Sequence, residues 1–326
     1  MTATERKRPV VAVLYREALP PRLQEIEELA DVRLTKADGL AKALDGADVL
    51  YQWHSFSPAL KENWAAASSL KWVHVSAAGV SQLLFEELVQ SGVVYTNSRG
   101  VLSRAIAEFA LGFVLDLAKD AQGSFRLQQQ QRWQHRTTQK IHGKNALVVG
   151  IGSIGREIAR LFRAVGMEVS GAGRTSRPGD DDFDWIYSSQ DLPGIVHDYD
   201  YVVLAAPLTA ETRGLMNVDV LASMKPSAHL INVGRGELVH TGALTEALAS
   251  GSIAGAAFDV VHPEPLPGGH ALWSMENVII TPHMSGDAED YLDDLSRLFL
   301  ENLGRFVKSD PLLNVVDKTL GFVPVS

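Results

Sequence analysis

The sequence predicts an α/β protein of two doubly wound domains, each built on a parallel sheet. Three observations predict it. Short apolar runs alternate with amphipathic stretches along nearly the whole chain, as parallel βαβ units require. The runs form two series, one on either side of a long apolar helical pattern over residues 105–118. The length of 326 residues suits about two domains.

The first series places strands at residues 10–15, 32–35, 49–53, 72–75 and 93–96, with an amphipathic helix from Leu23 to Leu29. The helix over 105–118 then leads into a polar stretch holding Gln128 to Gln131, Trp133 and His135, read as a solvated helix end. The second series places strands at 146–149, 167–170, 201–205, 229–233, 254–260 and 278–281. A last helix puts Leu292, Leu295, Leu298 and Phe299 on one face. The expected domains are 1–103 with 288–326, and 104–287.

Composition limits the function. Hydrophobic residues make up 46% and charged residues 21%, with a formal net charge of -9. That balance argues against nucleic acid or an anionic membrane as partner. With no cysteine, disulfides, zinc–thiolate sites and thiol catalysis are excluded, and no metal site is expected. The charged start carries no apolar signal core, and the apolar runs are too short to cross a bilayer. A cytoplasmic location is expected.

Gly150-Ile151-Gly152-Ser153-Ile154-Gly155 directly follows the apolar run 146–149 and opens a helical pattern. In that setting Gly150 makes the tight turn, Gly152 lets a pyrophosphate approach the backbone, and Gly155 lets helix and strand pack closely. The N–H groups of Ser153, Ile154 and Gly155 at the helix start face the phosphates. At the end of the next strand, Gly173 stands where an acid would bind the ribose diol of NAD. Arg174, Thr175, Ser176 and Arg177 follow, a cradle for the 2′-phosphate of NADP. The alternative is that Arg174 and Arg177 merely pair with Asp180, Asp181 and Asp182.

Three further segments carry the chemistry: Asn232-Val233-Gly234-Arg235-Gly236-Glu237, then Phe258-Asp259-Val260 with His262-Pro263-Glu264-Pro265, then Thr281-Pro282-His283. With the glycine fingerprint and Pro207 to Thr212, they resemble the D-isomer-specific 2-hydroxyacid dehydrogenases, in particular the glyoxylate/hydroxypyruvate reductases. The resemblance covers nearly the whole chain, strongly from about Leu70 onward.

It implies a flavodoxin-like substrate domain and a Rossmann cofactor domain. It further implies hydride transfer between NADP(H), or NAD(H), and a small 2-oxo acid. Arg235 would then bind substrate, His283 would be the acid/base and Glu264 its partner. Pro207, Thr212, Val233, Asp259 and Gly286 would join the cofactor site; the alternative for Asp259 is that it simply caps its strand. Ala78 and Gly79, in Ser76-Ala77-Ala78-Gly79-Val80, would present backbone N–H groups to the substrate carboxylate. The resemblance also implies a homodimer built by the cofactor domains. A glutamate at 264 disfavours a formate dehydrogenase, which has glutamine there. A dinucleotide-sensing co-repressor of the same fold is the rival from another class.

Overall fold

A computed structural model describes residues 8–80 and 82–324. The chain divides into two compact units, one of residues up to Leu102 with those from Ala288 onward, the other Ser103–Asp287. Both are doubly wound parallel sheets, as the alternating pattern predicts.

The first unit carries β1 (Val10–Leu14), β2 (Asp31–Thr35), β3 (Val49–Gln52), β4 (Trp72–Val75) and β5 (Val94–Asn97). Their order is β2-β1-β3-β4-β5, parallel throughout. β3 and β4 are buried along their full length, because helices cover both faces of such a sheet. Helix Tyr291–Lys308 packs on one face, where Phe299 stacks on Tyr51 with ring centroids 3.7 Å apart. Its buried stripe is Leu295, Phe299 and Leu303, spaced four apart; Leu292, expected on that face, is exposed.

A directed chain of hydrogen bonds crosses β4 and β5. The Trp72 indole N–H donates to Thr96 Oγ1 at 2.8 Å, which lies 2.8 Å from His74 Nδ1. An indole can only donate, and a hydroxyl has one hydrogen and two lone pairs; sending the Thr96 hydrogen to Nδ1 is the arrangement that gives every hydrogen of this chain an acceptor. That leaves His74 Nε2–H for Ser98 Oγ at 3.3 Å, which donates to Val75 O at 3.1 Å. His74 is fully buried, and burial lowers its pKa to about 3.

The second unit carries β6 (Asn145–Val149), β7 (Glu168–Gly173), β8 (Arg177–Pro178), β9 (Trp185–Ser188), β10 (Tyr201–Leu204), β11 (His229–Asn232), β12 (Gly255–Phe258) and β13 (Val278–Ile280). The order is β13-β12-β11-β10-β6-β7-β9-β8, with only β8 antiparallel to its neighbour. The chain winds outward in opposite directions from β6 and β10, so the crevice at their carboxyl ends is where a nucleotide binds in such sheets.

Two strands, β8 and β9, escape the sequence pattern. Both are short, and β9 opens on an exposed Trp185 after a run of aspartates. β7 also runs to Gly173 rather than ending at 170. Its glycines admit Ile151: a Cβ on Gly171 or Gly173 would stand 2.7 or 2.9 Å from that side chain. The expected long helix spans Ser103–Lys119 and lies along helix Ser153–Ala164. It does not run on into the glutamines. Asp120 turns left-handed at φ 47° and caps a separate helix, Ala121–Gln129, by accepting from Gly123 N.

Candidate active site

The glycine fingerprint forms the turn between β6 and helix Ser153–Ala164. Gly150 has φ +105°, and a Cβ there would lie 2.4 Å from Ala206 N. A Cβ on Gly155 would lie 1.8 Å from Gly150 O, so this glycine lets the helix close on the strand. Gly152 has nothing within 4 Å. The helix begins there with no side-chain cap, so no side chain of the cap residue takes up its first N–H groups. An open glycine beside an uncapped helix start fits a pyrophosphate.

Arg174, Thr175, Ser176 and Arg177 follow β7, all exposed. They begin a hairpin rather than a loose loop, since Arg177 pairs with Ile186 across β8 and β9. Ser176 Oγ accepts from Ser188 N at 2.7 Å and lies 3.3 Å from Asp191 Oδ2, so its hydroxyl also serves the hairpin. Asp180 and Asp182 are held by Arg156 and Arg160 of helix Ser153–Ala164, a pairing that sequence reasoning missed.

Across β10, Thr212 Oγ1 donates to Pro207 O at 2.7 Å and accepts from Thr209 N at 2.8 Å. Thr212 and Pro207 thus close one turn beyond β10. Val233 is buried at the end of β11.

Arg235 sits between two closely packed glycines. A Cβ on Gly234 would be 2.9 Å from Leu238 Cδ1, and one on Gly236 would be 2.0 Å from Val261 O. The second contact joins the arginine loop to the segment that leads to Glu264. Arg235 Nη1 donates to Gly234 O at 2.7 Å. Among the described residues no carboxylate comes within ion-pair distance of it. Burial pulls its pKa below the ordinary arginine value, opposed by Glu264 and Glu237. A half-buried guanidinium with unused donors suits a small carboxylate.

His283 Nδ1 lies 2.6 Å from Glu264 Oε1, and both side chains are 42% exposed. The carboxylate orients the ring and leaves Nε2 for chemistry. His283 has φ 53°, a left-handed conformation uncommon outside glycine. Asp259, 2% exposed, holds that conformation in place. Its Oδ1 accepts from Thr281 Oγ1 at 2.6 Å and Met284 N at 2.9 Å, its Oδ2 from Ser285 N at 2.9 Å, and its own carbonyl from His283 N at 2.8 Å. These bonds tie the end of β12 to the turn after β13. Gly286 is buried at the end of this loop. The next residue, Asp287, was not singled out in the sequence; burial pushes its carboxyl up, and His283 opposes the shift. No group of three or more His, Cys, Asp or Glu among the described residues is placed to hold a metal ion.

In the first unit, Ala78 and Gly79 are half-buried in the loop after β4. That loop is fastened by Ser98 N to Ala77 O at 2.9 Å and by Asn97 Nδ2 to Ala78 O at 2.6 Å.

Known proteins match this arrangement. The family model for the NAD binding domain of the D-isomer specific 2-hydroxyacid dehydrogenases matches residues 111–285. A glyoxylate reductase of Thermococcus kodakarensis is 31% identical over 79% of this chain and 79% of its own. A D-isomer specific 2-hydroxyacid dehydrogenase of Xanthobacter autotrophicus, solved with NADPH and MES, is 32% identical at a TM-score of 0.81, covering 96% of this chain and 99% of its own. An NADPH-dependent glyoxylate/hydroxypyruvate reductase of Sinorhizobium meliloti, solved with NADP and sulfate, is 26% identical at a TM-score of 0.80, covering 97% of this chain and 100% of its own. No helix among the described residues is long and apolar enough to cross a membrane. With the fingerprint turn on its strand, and the histidine–glutamate pair in one unit with the arginine, the chain belongs to the D-isomer specific 2-hydroxyacid dehydrogenases, NAD(P)-dependent enzymes that interconvert 2-oxo and 2-hydroxy acids.

Proposed function

We propose that the chain reduces a small 2-oxo acid, glyoxylate or hydroxypyruvate, to its D-2-hydroxy acid with NADPH in preference to NADH. The 2.6 Å bond between His283 Nδ1 and Glu264 carries the reading. The bound cofactor supplies the hydride to the carbonyl carbon. Arg235 grips the substrate carboxylate and polarises the adjacent carbonyl with its planar fork. His283 Nε2 gives its proton to the oxygen as the alkoxide forms, and Glu264 stabilises the imidazolium before transfer. Ser153, Ile154 and Gly155 receive the pyrophosphate, and Arg174 to Arg177 the 2′-phosphate. The two neighbours solved with NADPH or NADP support the cofactor choice, as does Gly173 at the ribose position.

Steady-state rates with both cofactors and a panel of 2-oxo acids test the proposal. No turnover of any of them, with tight NADPH binding retained, would favour the dinucleotide-sensing reading. A homodimer belongs to the same proposal. Trp133 is fully exposed, and Phe125 is 57% exposed on the neighbouring helix, apolar surface suited to a second copy. Light scattering at micromolar concentration checks it. Because turnover draws on reduced nicotinamide, we place the enzyme in the cytoplasm, which cell fractionation tests.

A further inference from the structure

We propose that Arg156 and Arg160 set the cofactor preference at one remove, by cancelling the charge of Asp180 and Asp182 and pinning the phosphate-binding hairpin to the pyrophosphate helix. The proposal rests on the reading above, in which Arg174 to Arg177 receive the 2′-phosphate.

The geometry is a zipper between one helix and one hairpin. Arginines stand at 156, 160 and 163, on the face of helix Ser153–Ala164 that a spacing of four and three creates. Aspartates stand at 180, 182 and 184, in the turn between β8 and β9. Arg156 Nη2 meets Asp180 Oδ2 at 2.8 Å and its Nη1 meets Asp182 Oδ2 at 2.6 Å. Arg160 Nε meets Asp182 Oδ1 at 2.7 Å, and Arg163 Nη1 meets Asp184 Oδ1 at 2.5 Å. Asp182 is 5% exposed, so both its oxygens are satisfied by guanidinium rather than water. Between the acids, Phe183 is buried with the Arg156 guanidinium 5.6 Å from its ring centroid.

The backbone makes the clamp rigid. Asp180 Oδ1 accepts from Asp182 N and Phe183 N, and a Cβ on Gly179 would be 2.1 Å from Phe183 O. Arg156 N donates to Gly152 O at 3.0 Å. One residue therefore closes the first turn at the pyrophosphate end with its backbone and holds the hairpin with its side chain.

The charge balance gives this clamp its chemical meaning. Residues 174–184 carry two arginines against four aspartates, a net of -2, which would repel a 2′-phosphate. Adding Arg156, Arg160 and Arg163, with Glu157 of the same helix, brings the patch to neutral. Arg160 meets Glu157 at 2.5 Å as well as Asp182, and Arg104 approaches Glu157 to 4.0 Å. Arg174 and Arg177 thus act beside aspartates of which three, Asp180, Asp182 and Asp184, are already paired.

The test is calorimetric titration of the whole enzyme with adenosine 2′,5′-bisphosphate and, separately, 5′-AMP, which differ only by the 2′-phosphate. Arg156→Gln should weaken the bisphosphate about three- to tenfold, the range expected for one charge acting through solvent, and leave AMP unchanged. Asp180→Asn keeps the acceptor for Asp182 N and Phe183 N but removes a negative charge. It should tighten the bisphosphate by a similar factor, and it decides the matter if Arg156→Gln does not fold. Higher salt should shrink both effects. Unchanged ratios of bisphosphate to AMP in both variants, or equal losses for both ligands, overturn the proposal. Arg174→Ala separates the two levels. If it abolishes the preference while the Arg156 and Asp180 variants do not move it, only this inference fails. If it leaves the preference intact, the reading of the hairpin as the phosphate site fails as well.

Discussion

His283 Nδ1 and Glu264 Oε1 stand 2.6 Å apart, and that bond gives the two ring nitrogens different work. Nδ1 is occupied by the carboxylate, so only Nε2 is free to move a proton. His283→Ala should therefore lower kcat about 100- to 10,000-fold, the usual contribution of a general acid, while NADPH binding stays intact. A variant with near-normal kcat would remove His283 from the mechanism.

Glu264→Gln keeps an oxygen for Nδ1–H but takes away its charge. A charged hydrogen bond exceeds a neutral one by about 1 kcal/mol, so kcat should fall about fivefold, far less than with His283→Ala. Equal losses in the two variants would show that the glutamate does more than orient and stabilise the ring.

Asp259→Asn tests what holds His283 in its left-handed turn. The carboxylate accepts hydrogen bonds from Thr281, Met284 and Ser285, and an amide must turn its NH₂ towards at least one of those donors. Misplacing one buried bond costs about 1–3 kcal/mol. We expect a lower Tm together with a fall in kcat of at least about tenfold. A drop in Tm with unchanged kcat would make Asp259 purely structural.

The fingerprint glycines should separate by phenotype. Gly155→Ala forces a methyl to within 1.8 Å of Gly150 O and should destabilise the fold. Gly152→Ala meets nothing within 4 Å, so it should fold normally and bind NADPH poorly. Thermal melts alongside cofactor titration distinguish the two, and a well-folded Gly152→Ala enzyme with normal affinity would place the pyrophosphate elsewhere.

Acid should unfold the protein through its buried histidines. Burial lowers the pKa of His74 to about 3 and that of His229 to about 4. Both stay neutral in the folded chain but take up protons once unfolded, where histidine titrates near its usual value of about 6.5. The unfolded state then binds more protons, so stability is full above that value and falls as pH drops towards the folded pKa. Each group contributes on the order of 1 kcal/mol per pH unit at most. Urea melts at several pH values should show this slope, reduced in His74→Gln; an identical slope in that variant would mean His74 is not the group responsible.

The parts of this enzyme that are written locally were legible in its sequence. The strands before Gly150 and His283 announce themselves as apolar runs, and the fingerprint, Arg235 and Glu264 sit in compact motifs. What could not be read is what depends on distant partners. Asp259 lies 24 residues before His283 in the chain, yet it shapes the turn that the histidine occupies. Arg156 and Asp180 each look like ordinary surface charges until β8 and β9 fold the hairpin over the helix. The short strand Trp185–Ser188 lacked any periodicity long enough to detect.

The chain from Trp72 to Val75 takes its direction from its two ends, an indole that can only donate and a carbonyl that can only accept. The reverse tautomer of His74 would leave the hydroxyl hydrogen of the fully buried Thr96 without an acceptor in this chain. Satisfying every hydrogen favours one tautomer of His74 and, for Ser98, whose N–H fastens Ala77, one hydroxyl orientation. Thr96→Val would remove that bias, and two sets of imidazole signals in an NMR spectrum would reveal it.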